Sequence, residues 1–239
     1  MADNILDYED LKKRGFLRQR QEGLFVLRAR MSAGIYQKEH LRALAGIAEK
    51  YGMGSLHATT RQGLEVPFIK FEDIPAVERA LEEAGINRGA SGARMRTIVS
   101  CPGNNWCRAG LVDTFTLCNR IERDLGIKCG LELPHKFKIA VSGCPNACTR
   151  PQHSDIGVHG QVDTSSPDKR IGYVLYIGGN GGRSPKAGFR LDGILSEEEV
   201  LSKIAGVVAL FKDKARPRQR LGALVEETGK EEFLKSLMR

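Results

Sequence analysis

Two cysteine pairs constrain this chain more than any other feature. Cys101 and Cys107 stand in "CPGNNWC", and Cys144 and Cys148 in "CPNAC", giving C-x5-C and C-x3-C spacings. Each pair follows a short run that reads as a strand, "RMRTIVS" before Cys101 and "KFKIAVSG" before Cys144. Each pair therefore sits where the chain leaves a sheet and turns back. Pro102 and Pro145 come directly after the first cysteine of each pair and preset φ for a tight turn or a helix start. Four thiolates brought together from two such turns suit tetrahedral zinc or a [4Fe-4S] cluster. Zinc knuckles favour shorter gaps, so the C-x5-C spacing counts against zinc. Cys118, inside a helical pattern, and Cys129, just beyond it, lack partner spacing and read as buried structural thiols.

Composition narrows the setting. With 239 residues and 41% hydrophobic content the chain can bury a real core, as one large domain or two small ones. A net charge of +8 points to an anionic partner: nucleic acid, a phosphate-bearing cofactor or a polycarboxylate. Nucleic acid fits poorly, because aromatics are only 6% and the basic residues are dispersed rather than striped. The N-terminus lacks a basic stretch followed by an apolar run, and nothing approaches the ~18 apolar residues of a membrane span. A cytoplasmic protein without a membrane span is expected, with its six cysteines as thiols or ligands rather than disulfides.

The periodicity predicts an α+β chain. "LFVLRARMSAG" alternates like a strand, "KEHLRALAGIAEKYG" has helical spacing closed by Gly52, "SLHATTRQGLEVPFI" is again strand-like, and "FEDIPAVERALEEAG" is a helix ending at Gly85. A ferredoxin-like α+β domain over residues 1–88 follows, with the Gly-rich "INRGASGAR" as its boundary. Residues 89–239 form a second α+β domain. There "AGLVDTFTLCNRIERDLG" is an amphipathic helix, "SDIGVHGQV" and "GYVLYIGG" are strands, and "SEEEVLSKIAGVVALFKDKA" is a helix with Ser196 as N-cap and an acidic first turn. "EEFLKSLMR" is a last amphipathic helix. No internal repeat is visible.

The wording "CPGNNWC" with "SGCPNACTR", together with "TTRQGLE" at 59–65 and "LPHKFK" at 133–138, resembles the sulfite and nitrite reductase family that couples siroheme to a [4Fe-4S] cluster. The likeness covers roughly residues 15–195, and "PHKFK" is similar to the dissimilatory branch. The resemblance implies that Cys101, Cys107, Cys144 and Cys148 ligate the cluster and that Cys148 bridges it to siroheme. It places Arg61, Arg96, Lys136 and Lys138 around the oxyanion, with Arg94 as the competitor of Arg96. Charge-assisted bonds from such residues would hold oxygens that are to be protonated and lost as water. The carboxylates of siroheme call for a basic pocket, for which Arg28, Arg30, Arg108 and Arg150 are candidates, with Asn146 between the last two cysteines. "GGNGGR" at 178–183 reads either as an anion nest or as a hairpin. His57, His153 and His159 read as satisfied polar residues.

The implied activity is six-electron reduction of sulfite to sulfide, with nitrite as the nearest rival substrate. An iron–sulfur carrier without siroheme and a zinc protein are readings of other classes. No G-x-G-x-x-G follows a strand, and no second cluster motif is present, so electrons are expected from a ferredoxin or a reductase subunit. The resemblance implies that full-length assimilatory members contain two related halves, whereas this chain has one copy of each motif. A homodimer or higher oligomer would restore the second half by symmetry.

Overall fold

A computed structural model of the chain describes residues 7–165 and 167–237. The chain divides into two compact units, 1–92 and 93–239.

In the first unit the alternation of Phe25, Leu27 and Ala29 produces β2 (Leu24–Arg30), whose inward side chains are buried. Around it lie α1 (Tyr8–Lys13), β1 (Phe16–Arg18), α2 (Lys38–Tyr51), β3 (His57–Ala58), β4 (Leu64–Lys70), α3 (Ile74–Glu83) and β5 (Asn87–Arg88). The antiparallel sheet runs β1-β2-β4-β3, and β5 pairs with β2 beyond β1. Leu44 and Ile47 of α2 and Val77 and Leu81 of α3 sit at helical spacing and join the strand residues in one core. The stretch 55–69 is a hairpin, not one strand. Thr59 N–H donates to Gly63 O at 2.8 Å, and Gln62 adopts φ 60° in the turn.

The second unit contains β6 (Val99–Ser100), α4 (Thr114–Arg123), β7 (Ile139–Ser142), β8 (Ile156–Val162), β9 (Ile171–Ile177), β10 (Phe189–Arg190), α5 (Glu197–Lys214), α6 (Leu221–Thr228) and α7 (Lys230–Ser236). Its sheet order is β10-β9-β8-β7-β6. The β6, β7 and β8 strands are parallel to one another, and β9 and β10 continue antiparallel. The β7 strand is buried throughout, as expected of a parallel strand covered on both faces. The Phe137 ring packs at 5.2 Å, tilted by 50°, on that of Phe211 of α5 in the core. Ser196 and Glu199 form the N-terminal capping box of α5. Among the described residues no helix is long and apolar enough to cross a membrane.

Candidate functional site

Because β6 and β7 are parallel, with Ser100 opposite Val141, both cysteine turns leave the sheet at the same end. The C-terminal edge of parallel strands is where open α/β sheets place their sites. Hydrogen bonds then join the turns. Cys101 N–H donates to Val141 O at 3.2 Å, Leu111 N–H to Gly143 O at 2.8 Å, and Gly143 N–H to Cys101 Sγ at 3.0 Å. Three glycines permit the approach. A Cβ on Gly110 would lie 2.2 Å from Gly103 C, one on Gly143 2.5 Å from Gly103 Cα, and one on Gly160 2.5 Å from Gly143 O. The second turn is closed by the Ser142 and Thr149 hydroxyls, 2.8 Å apart, and by left-handed Ala147 and Arg150 on either side of Cys148. Such φ values are uncommon outside glycine and concentrate at functional sites.

All six cysteines are free thiols. Cys144 is buried, Cys101 half-buried, and Cys107 and Cys148 exposed. Among the described residues no three His, Cys, Asp or Glu side chains stand together as a site for one metal ion. Zinc would need its sulfurs about 2.3 Å from a single point. A [4Fe-4S] cluster asks instead for four thiolates spread around a larger body. The paired turns suit that, and the Gly143 N–H on Cys101 Sγ is a donor that would stabilise a ligating thiolate. Cys118 is fully buried, which pushes its thiol well above the usual range and keeps it protonated. Cys129 accepts a hydrogen bond from Thr97 Oγ1 at 3.8 Å.

A cationic segment lies in the same unit. Residues 134–138 are held by their backbone: Phe137 N–H donates to Arg94 O at 3.2 Å, and Arg96 N–H to Phe137 O at 2.8 Å. Lys138 N–H reaches the Asp155 carboxylate at 2.9 Å. With Phe137 turned into the core, Lys136 and Lys138 fall on the other side of the extended chain and are half-buried. The His135 imidazole is held below its ordinary pKa, first by burial and then by the charges of Arg220, Lys136, Arg96 and Arg218. The charges of four cations thus act on one histidine. Arg94 is nearly buried, with Glu132 3.8 Å from its guanidinium.

Other predicted residues lie elsewhere. Arg108, Asn146 and Arg150 are exposed on the two cysteine turns. In the first unit Arg61 occupies the 59–63 turn, where its N–H bonds Thr59 Oγ1 at 3.3 Å. Arg30 is buried. Arg28 Nε donates to Glu65 at 2.7 Å, and the same carboxylate binds exposed His57 at 2.9 Å. Burial works against Glu65, yet the bonds from His57 and Arg28 keep its pKa below the ordinary value. The 178–183 loop belongs to a hairpin: Asn180 and Lys186 exchange backbone bonds, and Gly182 N–H goes to Asn180 Oδ1. His159 is buried and bonded to Gly160 O and the Tyr176 hydroxyl, whereas His153 is exposed.

Sequence reading missed Asp155, Arg218 and Arg220. Asp155 is completely buried, and each of its oxygens lies 2.9 Å from Arg220 Nη2. Burial raises its pKa, against the opposing pull of Arg220 and the Lys138 N–H. The signal was present only as an acid beside an apolar strand in "SDIGVHG" and as the basic run "RPRQR".

Two family models match the chain: the nitrite/sulfite reductase ferredoxin-like half domain over residues 17–84, and the nitrite and sulphite reductase 4Fe-4S domain over residues 91–239. The chain belongs to the nitrite and sulphite reductase family. As a member, its cofactors are a [4Fe-4S] cluster and siroheme. It is 31% identical to a nitrite reductase [NAD(P)H] of Bacillus subtilis, over 95% of this chain and 27% of that one. It is 28% identical to an assimilatory-type sulfite reductase of Nitratidesulfovibrio vulgaris, over 94% of this chain and 97% of that one. The structure of the Mycobacterium tuberculosis NirA protein superposes with a TM-score of 0.82 at 23% identity, covering 97% of this chain and 46% of that one. The chain spans less than half the length of the first curated relatives it matches.

Proposed function

We propose that this chain is a siroheme-dependent reductase that takes sulfite to sulfide. The observation that carries the reading is the pair of cysteine turns hydrogen-bonded side by side in the unit that also holds the cationic 134–138 segment. An electron carrier needs the first feature but has no use for the second. When bound, the cluster and siroheme would relay electrons from an external donor and offer an iron to the oxyanion. Cys101, Cys107, Cys144 and Cys148 are the cluster ligands in this reading, with Cys148 also shared with siroheme. Arg108, Arg150 and Asn146 would stand on the macrocycle side. Arg96, Lys136 and Lys138 bind the oxyanion. Lys136 and Lys138 hold its oxygens by charge-assisted bonds and deliver protons to them as they leave as water.

Sulfite is preferred over nitrite because the N. vulgaris sulfite reductase is matched along nearly its whole length. The B. subtilis nitrite reductase is somewhat more identical but far longer, so ammonia-forming nitrite reduction is the second reading. Electrons come from a separate ferredoxin or reductase subunit, and the working form is a homo-oligomer.

The test is the visible spectrum of anaerobically purified protein, with sulfite and then nitrite added after reduction. Macrocycle bands over broad iron–sulfur absorption, shifted by sulfite, with kcat/KM higher for sulfite than for nitrite, are expected. Cluster absorption alone after siroheme reconstitution would promote the electron carrier, and stoichiometric zinc without colour would remove both.

A further inference from the structure

The segment "RPRQR", residues 216–220, carries three arginines that differ in what they touch. Arg216 is bound by Glu227 at 2.7 and 2.9 Å. Arg220 is bound by the buried Asp155 and by Asn180 Oδ1 at 3.1 Å. These two fasten the segment at both ends. Arg218 lies between them, exposed, and its guanidinium makes no hydrogen bond or ion pair among the described residues. Its backbone is nevertheless fixed. Arg218 N–H donates to Pro134 O at 2.9 Å, next to His135, and the residue is held at φ 67°. A left-handed conformation at a residue with a long side chain costs free energy that glycine would avoid.

The surroundings are mainly cationic. Segment 134–138 presents Lys136 and Lys138, Arg96 is bonded through its backbone to Phe137, and Arg220 approaches through Asp155. Asp155, a carboxylate among them, is buried and already holds Arg220 and the Lys138 N–H. The charge of Arg218 reaches His135, where it adds to the depression caused by burial, Arg220, Lys136 and Arg96. An exposed guanidinium beside several other cations offers an anion more than one positive charge at once.

We propose that Arg218 is a further anion-binding residue of this cationic cluster, carried in by the 216–220 segment, and that its ligand is an oxyanion: the sulfite itself or a carboxylate of siroheme. The choice of ligand rests on the proposed reductase function. The binding role rests on the cluster of residues alone. A guanidinium offers paired N–H donors matched to such oxygens.

The experiment compares wild type, Arg218→Gly, Arg218→Lys and, as a control of equal charge loss, Lys212→Gln on α5, which is exposed. Two quantities are read: siroheme per chain, and the rise in Tm on adding inorganic sulfite, which reports binding to the folded state. Arg218→Gly keeps the backbone geometry and relieves its strain, so its Tm without sulfite should equal or exceed that of wild type. Its sulfite affinity is expected to fall about tenfold with siroheme content unchanged if the substrate is the ligand. If a carboxylate of the macrocycle is the ligand, siroheme content falls several-fold and the sulfite response of the loaded fraction persists. Arg218→Lys should lose less than Arg218→Gly, and Lys212→Gln should match wild type. Identity of Arg218→Gly with wild type in both quantities, or a drop in its Tm without sulfite, overturns the proposal. Should wild type bind no siroheme, the reductase reading falls separately. The sulfite response then decides alone: one that is present in wild type and lost in Arg218→Gly sustains the assignment, and any other pattern overturns it.

Discussion

Single atoms decide whether the cysteine turns can meet. A methyl group on Gly143 would fall 2.5 Å from Gly103 Cα, and what it meets is backbone rather than the end of a flexible side chain. Gly143→Ala is expected to cost about 1–3 kcal/mol through overpacking and to lose most of the bound iron, because the N–H that reaches Cys101 Sγ moves with it. Gly46→Ala in α2 is the control: its Cβ meets nothing within 4 Å, so stability should rise by about 0.5–1 kcal/mol with iron unchanged. Iron per chain and urea melts check both. The cysteines were legible because ligation by two turns leaves a spacing in the sequence. The glycines around them were not singled out, since close backbone approach becomes visible only once 103, 110 and 143 are side by side. Asp155, Arg218 and Arg220 escaped for a related reason: they meet segment 134–138 from two distant stretches of chain. A buried aspartate before a strand reads like any turn aspartate.

The elements that sequence located well are those with chemical stops: α2 closed at Gly52, α3 before Gly85, and α5 opened by Ser196 with Glu199. Two differences have local causes. The helix expected over 109–126 begins only at Thr114, because Asp113 caps it and residues 110–112 are engaged in joining the cysteine turns. Helix α6 was not anticipated. Its eight residues are too few to be stable by propensity, and burial of Leu221, Leu224 and Val225 supports them instead. Asp113 links element to site: its Oδ1 caps α4 through Phe115 and Thr116 and also accepts from Asn105 Nδ2 at 3.0 Å, inside the first cysteine turn. Burial works to raise its pKa, but the bonds from Thr116, Asn105 and Phe115 outweigh it and hold the pKa below the ordinary value. A depressed carboxylate contributes stability above its unfolded pKa and loses it as pH falls through the folded value. Asp113→Ala should therefore cost about 1 kcal/mol at pH 7, with the gap to wild type closing below about pH 4. Parallel urea melts at pH 7 and pH 3 test the sign: a gap that widened in acid would show that the cap is not ionic.

At the scale of the whole molecule, the chain holds one copy each of the ferredoxin-like half and the 4Fe-4S domain. We propose that in the oligomer Arg61, Lys136 and Lys138 of one subunit serve the siroheme whose cluster is held by its partner, as two-fold symmetry allows. The proposal separates cleanly from an independent site in each subunit. Lys136→Glu spoils the anion side while leaving its own cysteines intact, and Cys144→Ser spoils the cluster while leaving its own lysines intact. Each variant alone should be inactive. If sites are shared in a dimer, a mixed pair has one site with both defects and one with neither. Random exchange at equal amounts then yields mixed pairs in half the population and recovers about a quarter of wild-type turnover. If each subunit works alone, every site in every pair carries one defect. Activity after unfolding and refolding the two variants together, followed across mixing ratios, decides between them: a maximum near equal proportions supports sharing, and a flat zero line assigns the lysines to the cluster of their own chain.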